Sequence, residues 1–284
     1  MKVGLHMQMG PRHWAPVTAV AEEAGFESVW LPEHLIMPVE MTGRPGSPHE
    51  GATPISGATP AWDVFMQIAY LAGRTSTIRF GTNVFNIGLR HPFVTARSVT
   101  TADLLSDGRF EFGIGASWLA EEWQAMELPF GTRARRVAEA IGICQRLFTE
   151  DEVEHEGEFF RFQPVTFLPK PVQEPWPPML IGGDSPAALR RAAELGDGWL
   201  PMAHTLETLP DSLRRLDQLR DDAGRGDRPF AVTLFRFGEP TVDNLRRCEE
   251  LGVHRVLVSP FDRSAEAIDG IKRFADEVLP ALAD

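Results

Sequence analysis

The stretch AVAEEAGFESVWLP, Ala19–Pro32, decides the fold. Its first half carries apolar residues at helical spacing and ends at Gly25, the residue type that takes a left-handed position after a helix. Its second half closes on Val29–Pro32, short and apolar on both faces, as a strand buried in a parallel sheet is. The same grammar returns in ALRRAAELGDGWLP (Ala188–Pro201) and LRRCEELGVHRVLVSP (Leu245–Pro260), with Gly196 and Gly252 in the place of Gly25. All three glycines are expected to be left-handed. Repeated helix–glycine–strand units imply a parallel sheet covered by helices.

Further strands are read in KVGLHM, IRFGTNVFN, RFEFGIGAS, PPMLIGG and FAVTLFRF. About eight strands alternating with helices is the count of a (β/α)8 TIM barrel, an α/β fold, and 284 residues suit one such barrel as a single domain. A doubly wound sheet competes, but HMQMGPRHW after the first strand holds no G-x-G-x-x-G. Two segments break the alternation and read as insertions in the barrel. One, about 35–61, follows strand 2 and is dense in proline and glycine. Residues 38–60 of it are expected to act as a lid. The other, about 150–177, precedes strand 5 and reads as a hairpin, VEHEGEFFRF, with an extended tail.

Composition narrows the partners. The net charge is -12, with no basic block, so nucleic acid and anionic membrane are not expected to bind. No segment approaches the roughly 20 apolar residues of a membrane span, and the first residues lack a signal peptide's apolar run, so a cytoplasmic protein is expected. Cys144 and Cys248 are far apart and read as small buried hydrophobes. The eight histidines are scattered without HExxH or Cys/His ligand spacing, so no metal is expected. There is no G-x-S-x-G elbow either.

Barrel active sites form where strands end at their C-terminal edge. Strand 2 delivers Glu33 and His34. Strand 3 ends in Asn83, Val84, Phe85 and Asn86, and strand 4 in Gly115, Ala116, Ser117 and Trp118. Strand 5 ends in Gly182, Gly183 and Asp184, and Met202 and His204 follow strand 6. Ser185 or Asp184 suits an N-cap with Pro186 in the first turn. Gly182 and Gly183 would let an anion reach amides at that helix N-terminus, and GIGASW would offer a second set. Ordinary turns and capping explain the same residues equally well. Glu33 and His34 likewise read either as a cap or as a working pair. Imidazole suits proton transfer near neutral pH, while neighbours in a strand point to opposite faces. A carboxylate-pair hydrolase would need a second acid near Glu33, and the strand ends offer only Asp184.

Three stretches carry a resemblance: AGFESVWLPEHL, GTNVFNIGLRHPFVTARSVTTADLLSDGRFEFGIGASW and FLPKPVQEPWPPMLIGGDSPAALRRAAELGDGWLP. With them the chain, over nearly its whole length, resembles the luciferase-like monooxygenase superfamily, and within it the branch of coenzyme F420-dependent oxidoreductases. The resemblance implies a TIM barrel with an insertion and a non-prolyl cis bond at Asn83–Val84 behind the cofactor ring. It implies a cofactor site of Asn83, Val84, Asn86, Gly115, Ala116, Ser117, Trp118, Gly182, Gly183 and Asp184. The phosphate would lie on amides around Ser117 and Gly183 rather than on arginines. Glu33 and His34 match the family's acid–histidine pair, with His34 as proton donor or acceptor. Sugar-phosphate dehydrogenases of the branch have Glu where this chain has Trp118, which argues against that substrate chemistry. The implied activity is hydride transfer between F420 and a small organic substrate, in a homodimer. The alternative is an FMN-dependent monooxygenase served by a separate reductase; a hydrolase or a non-catalytic cofactor binder on this fold comes behind both.

Overall fold

A computed structural model describes residues 1–41, 55–235 and 237–282. Eight parallel strands close a barrel in the order β1-β2-β3-β4-β7-β8-β9-β10 and back to β1. They are β1 (Lys2–His6), β2 (Ser28–Leu31), β3 (Arg79–Thr82), β4 (Phe110–Ile114), β7 (Met179–Gly182), β8 (Gly198–Leu200), β9 (Ala231–Phe235) and β10 (Arg255–Val258). The expected insertion before the fifth barrel strand contains an antiparallel hairpin of β5 (Glu152–Glu156) and β6 (Arg161–Thr166). Residues 42–54, the centre of the insertion after β2 and of the expected lid, lie outside the described residues.

The helices are α1 (Pro11–Glu23), α2 (Val64–Ala72), α3 (Pro92–Leu105), α4 (Ala120–Ala125), α5 (Arg133–Thr149), α6 (Pro186–Leu195), α7 (Leu209–Asp222), α8 (Val242–Glu250) and α9 (Ala267–Glu277). Their apolar stripes meet the outward side chains of the strands in one large buried layer that includes both cysteines. Asp63 caps α2 through the amides of Phe65 and Met66 (both 3.0 Å), and Ser185 caps α6 through Ala188. Gly25 and Gly252 are left-handed as expected, at φ +86° and +81°. Gly196 is not: its φ is -88° and its ψ 158°. Crowding explains glycine there instead, because a Cβ would come within 2.9 Å of Ala192 O and of Ile181 Cγ1. Among the described residues no helix is long and apolar enough to cross a membrane.

The barrel interior is filled in storeys. At the N-terminal end Arg255, 4 % exposed, forks onto Glu27 (2.8 and 2.8 Å) and onto Glu111 (2.9 and 2.8 Å). Arg79 adds a second cation to Glu111 at 2.8 Å, Lys2 stands 3.3 Å from Glu27, and Thr233 accepts from Arg255. Above this ionic floor lies Trp30, with the Arg255 guanidinium 5.1 Å from its ring. Leu180, Leu200, Phe235 and Leu257 pack around Trp30, and Val84 and Met202 cover that cluster on the side of the barrel mouth. Trp30 fits because Gly81 and Gly4 flank it; a Cβ on Gly81 would overlap the indole.

Burial raises the Glu27 carboxyl, but the Arg255 guanidinium, helped by Ser28 and Lys2, more than offsets this and holds it at about 2, against an ordinary 4.5. A depressed carboxyl stabilises the fold fully above its unfolded value and loses that stabilisation as pH falls through its folded value. The stake is on the order of 3 kcal/mol, lost between pH 4.5 and about 2. Glu27→Gln is therefore expected to lower stability near neutral pH and to flatten the acid limb in that window. Denaturant titrations of both proteins across pH measure it; parallel acid limbs would show that Glu27 is not the group responsible.

Candidate active site

The mouth of the barrel holds a cavity of about 470 Å³, and all twelve residues that the resemblance assigns to the site line it; Phe85 and His204, also at strand ends, do not. It adjoins a second cavity of about 760 Å³, with which it shares His6, Gln8, Ile55 and Phe235.

One wall is the segment after β3. The Asn83–Val84 bond is cis, as the resemblance implies. Backbone bonds hold the segment on both sides: Asn83 N donates to Leu31 O (2.7 Å), Phe85 N to Gly113 O (2.8 Å) and Gly115 N to Phe85 O (2.9 Å). The Val84 side chain occupies space that only glycines leave at positions 115 and 182; a Cβ at Gly182 would lie 2.8 Å from Val84 Cγ1, and one at Gly115 would overlap Val84. Those two glycines thus serve the packing of Val84. Asn83 and Asn86 are each 5 % exposed, and neither amide side chain has a hydrogen-bond partner among the described residues. Buried amides in that state are rare, and these leave donors and acceptors free toward the cavity.

Glu33 and His34 part company. Glu33 is buried and accepts from Arg90 Nη2 at 2.6 Å and from Asn86 N at 3.1 Å. Arg90 lies over the Phe85 ring at 4.3 Å and donates to Asn86 O at 3.3 Å. Glu33 therefore ties the end of β2 to the 83–90 segment. His34 turns to Glu122 of α4, whose side chain is fully buried. The His34 Nδ1···Glu122 Oε2 distance is 3.3 Å, and Leu35 N donates to Glu122 Oε1 at 2.7 Å. Trp118 meets the imidazole edge to face at 5.8 Å.

The opposite wall differs from expectation. Gly183 is left-handed at φ +112°, but its amide donates to Leu200 O (3.1 Å) and its carbonyl accepts from the Trp199 indole (2.9 Å). Its amide is engaged within the fold. Ser117, at φ +65°, accepts from Leu119 N at 3.1 Å; of the second set, the Gly115 amide is taken by Phe85 O (2.9 Å), and α4 has only six residues. Asp184 does not cap α6. It accepts from Met202 N at 3.0 Å and stands 3.5 Å from His204 Nε2, joining the ends of β7 and β8. Burial raises its carboxyl above the ordinary range, against the pull of Met202, His204 and Ala203.

Two arginines that sequence reading passed over line this wall. Arg191 of α6 is 7 % exposed and its Nε has no partner among the described residues. Burial first, and Arg133 second, lower its guanidinium from the usual range, the mark of a cation lacking a counter-charge. Arg133 lines the cavity as well and donates to Phe130 O. Ala187, in the first turn of α6 where amides lack intrahelical acceptors, lies beside them. An anion would complement these groups. A sequence signal existed: Ala188, Arg191 and Ala192 fall on the buried face of α6.

Known proteins share this architecture. The model of the luciferase-like monooxygenase family matches residues 3–238. An uncharacterized protein of Mycobacterium tuberculosis is 31% identical over 275 residues, covering 94% of each chain. An F420-dependent glucose-6-phosphate dehydrogenase of Microbacterium testaceum is 30% identical over 268 residues, covering 87% of this chain and 74% of that one. Among solved structures, the coenzyme F420-dependent tetrahydromethanopterin reductase of Methanopyrus kandleri superposes with a TM-score of 0.79 at 18% identity, covering 98% of both chains. A monooxygenase from Streptomyces bottropensis reaches 0.79 at 21% identity, covering 99% of this chain and 100% of that one. With a closed barrel, a cis bond after β3 and a family match across most of its length, the chain belongs to the luciferase-like monooxygenase family.

Proposed function

We propose that the protein is an oxidoreductase that moves a hydride between coenzyme F420 and a small organic substrate. The observation that carries this reading is the pair of unpartnered amides, Asn83 and Asn86, on a wall of the cavity that His34 also lines. A deazaflavin ring has a pyrimidinedione edge of alternating carbonyls and N–H groups, and carboxamides offer a donor and an acceptor each to such an edge. The resemblance to F420-dependent relatives favours F420 over other ring systems.

When bound, F420 supplies the hydride acceptor or donor. The chain's own residues do the rest. Val84, seated against Gly115 and Gly182, backs the ring. Arg191, Arg133 and the first turn of α6 would hold its anionic chain, in place of amides alone. His34 accepts or returns the proton released as a substrate heteroatom changes its bonding. Glu33 keeps the 83–90 segment in place and touches no reacting atom.

The second reading is an FMN-dependent monooxygenase supplied with reduced flavin by a separate reductase. The arginine pair favours it as much as F420, because two guanidiniums suit a terminal phosphate dianion. Titrating protein freed of small molecules with F420 and with FMN, followed by fluorescence, separates the two. Tight F420 binding with weak FMN binding is expected; the reverse order of affinities would hand the site to flavin.

Arg191→Met removes the unpaired cation while keeping much of the buried stem. Hydrogen bonds to charged groups contribute roughly 1.5–3 kcal/mol, so cofactor affinity is expected to fall about 10–100-fold with little loss of stability. Unchanged affinity would mean that the anion lies elsewhere.

His34→Ala is expected to lower turnover by about 10²–10⁴-fold while the cofactor dissociation constant stays near that of the parent. Measuring the two separately is the check. Full turnover in the variant would leave His34 a structural residue.

A further inference from the structure

We infer that Glu122 is the positioning residue of the site: it fixes which nitrogen of His34 faces the cavity. This rests on the reading of His34 as the proton-transfer group.

The carboxylate of Glu122 is fully buried, and it reaches His34 from α4, eighty-eight residues along the chain. Its two oxygens have separate tasks. Oε1 accepts from Leu35 N at 2.7 Å, holding the backbone beside His34. Oε2 faces His34 Nδ1 at 3.3 Å. With Glu122 as a carboxylate, which only accepts, the hydrogen of this contact lies on Nδ1. In the neutral imidazole Nε2 then keeps its lone pair, and it has no partner among the described residues although the ring lines the cavity. Trp118 meets the ring edge to face, with ring centroids 5.8 Å apart. The result is a pre-oriented base. Nε2 takes a proton from the substrate heteroatom, Nδ1–H stays on Oε2, and the imidazolium so formed lies against a carboxylate. In the reverse direction Nε2 returns the same proton, so no proton is gained or lost at Glu122.

Neighbouring Glu33 cannot do this work, because its carboxylate is spent on Arg90 and Asn86 N. The acid that the sequence sets next to the histidine holds the wall, and an acid far along the chain holds the histidine.

Glu122→Gln tests the inference. The amide oxygen still accepts from Leu35 N, while the amide N–H groups turn to Nδ1 and demand that it become the acceptor. The His34 tautomer should therefore reverse, from Nδ1–H in the parent to Nε2–H in the variant. Nitrogen-15 and proton NMR of the imidazoles reads this without substrate or cofactor, with the His34 signals identified by their loss in His34→Gln. Turnover should fall about 10²-fold or more, as in other triad-like sites with a reversed tautomer, with cofactor affinity within about twofold. Glu122→Asp should retain the parent tautomer and recover part of the turnover. An Nε2–H tautomer in the parent overturns the inference, even if Glu122→Gln fails to fold. So does a folded Glu122→Gln protein with parental turnover while His34→Ala is impaired. If both variants turn over normally, the reading of His34 falls first and takes the role of Glu122 with it.

Discussion

Arg255 is the constraint on which the barrel rests. A guanidinium buried at the N-terminal end of the strands is tolerable only if carboxylates meet it, and removing one partner from such a group costs about 3–5 kcal/mol. Its partners come from around the whole barrel: Glu111 from β4, Thr233 from β9 and Glu27 from the turn before β2, with Lys2 of β1 and Arg79 of β3 completing the charge balance. Six strands thus converge on one set of charges, and a strand slipped by a residue would strand one of them. Such a network specifies register at least as much as it stabilises.

Everything above inherits that register. The apolar storey around Trp30 sits on the charges, Val84 and Met202 cap that storey, and the cavity opens over Val84. Hydrogen bonds from both flanking strands hold the segment that carries Val84, and Glu33 and Arg90 clamp its far end. The wall offered to a ligand is therefore stiff. The groups left unsatisfied there, on Asn83 and Asn86, are set at fixed points before any ligand arrives, which is the arrangement that binding without reorganisation requires.

The barrel was legible because helix, glycine and apolar strand are local signals repeated along the chain, and the site was legible as the residues at strand ends. What stayed hidden shares one physical character. Arg255, Glu111 and Arg79 lie at strand starts and look like ordinary exposed charges until residues as far apart as Glu27 and Arg255 meet. Glu122 and Arg191 lie on helices behind the strand ends, where a charge reads as solvent-facing unless, as with Arg191, small apolar residues share its face. Gly196 reads as a left-handed cap because glycine after a helix often is one, yet the reason for glycine there is the nearness of Ala192 and Ile181. Local sequence reports backbone preference well; it does not report which distant surface will come close.

Trp30 carries a consequence for substitution. Its indole fills space conceded by Gly81 and Gly4 on the two neighbouring strands. No one of the three can change alone: a side chain at position 81 collides with the ring, and a small residue at position 30 opens a void above a buried guanidinium. The three positions therefore constrain one another sterically, while the mouth above them lies outside that constraint. Side chains at the mouth can change without disturbing the indole, but the indole cannot change without both glycines.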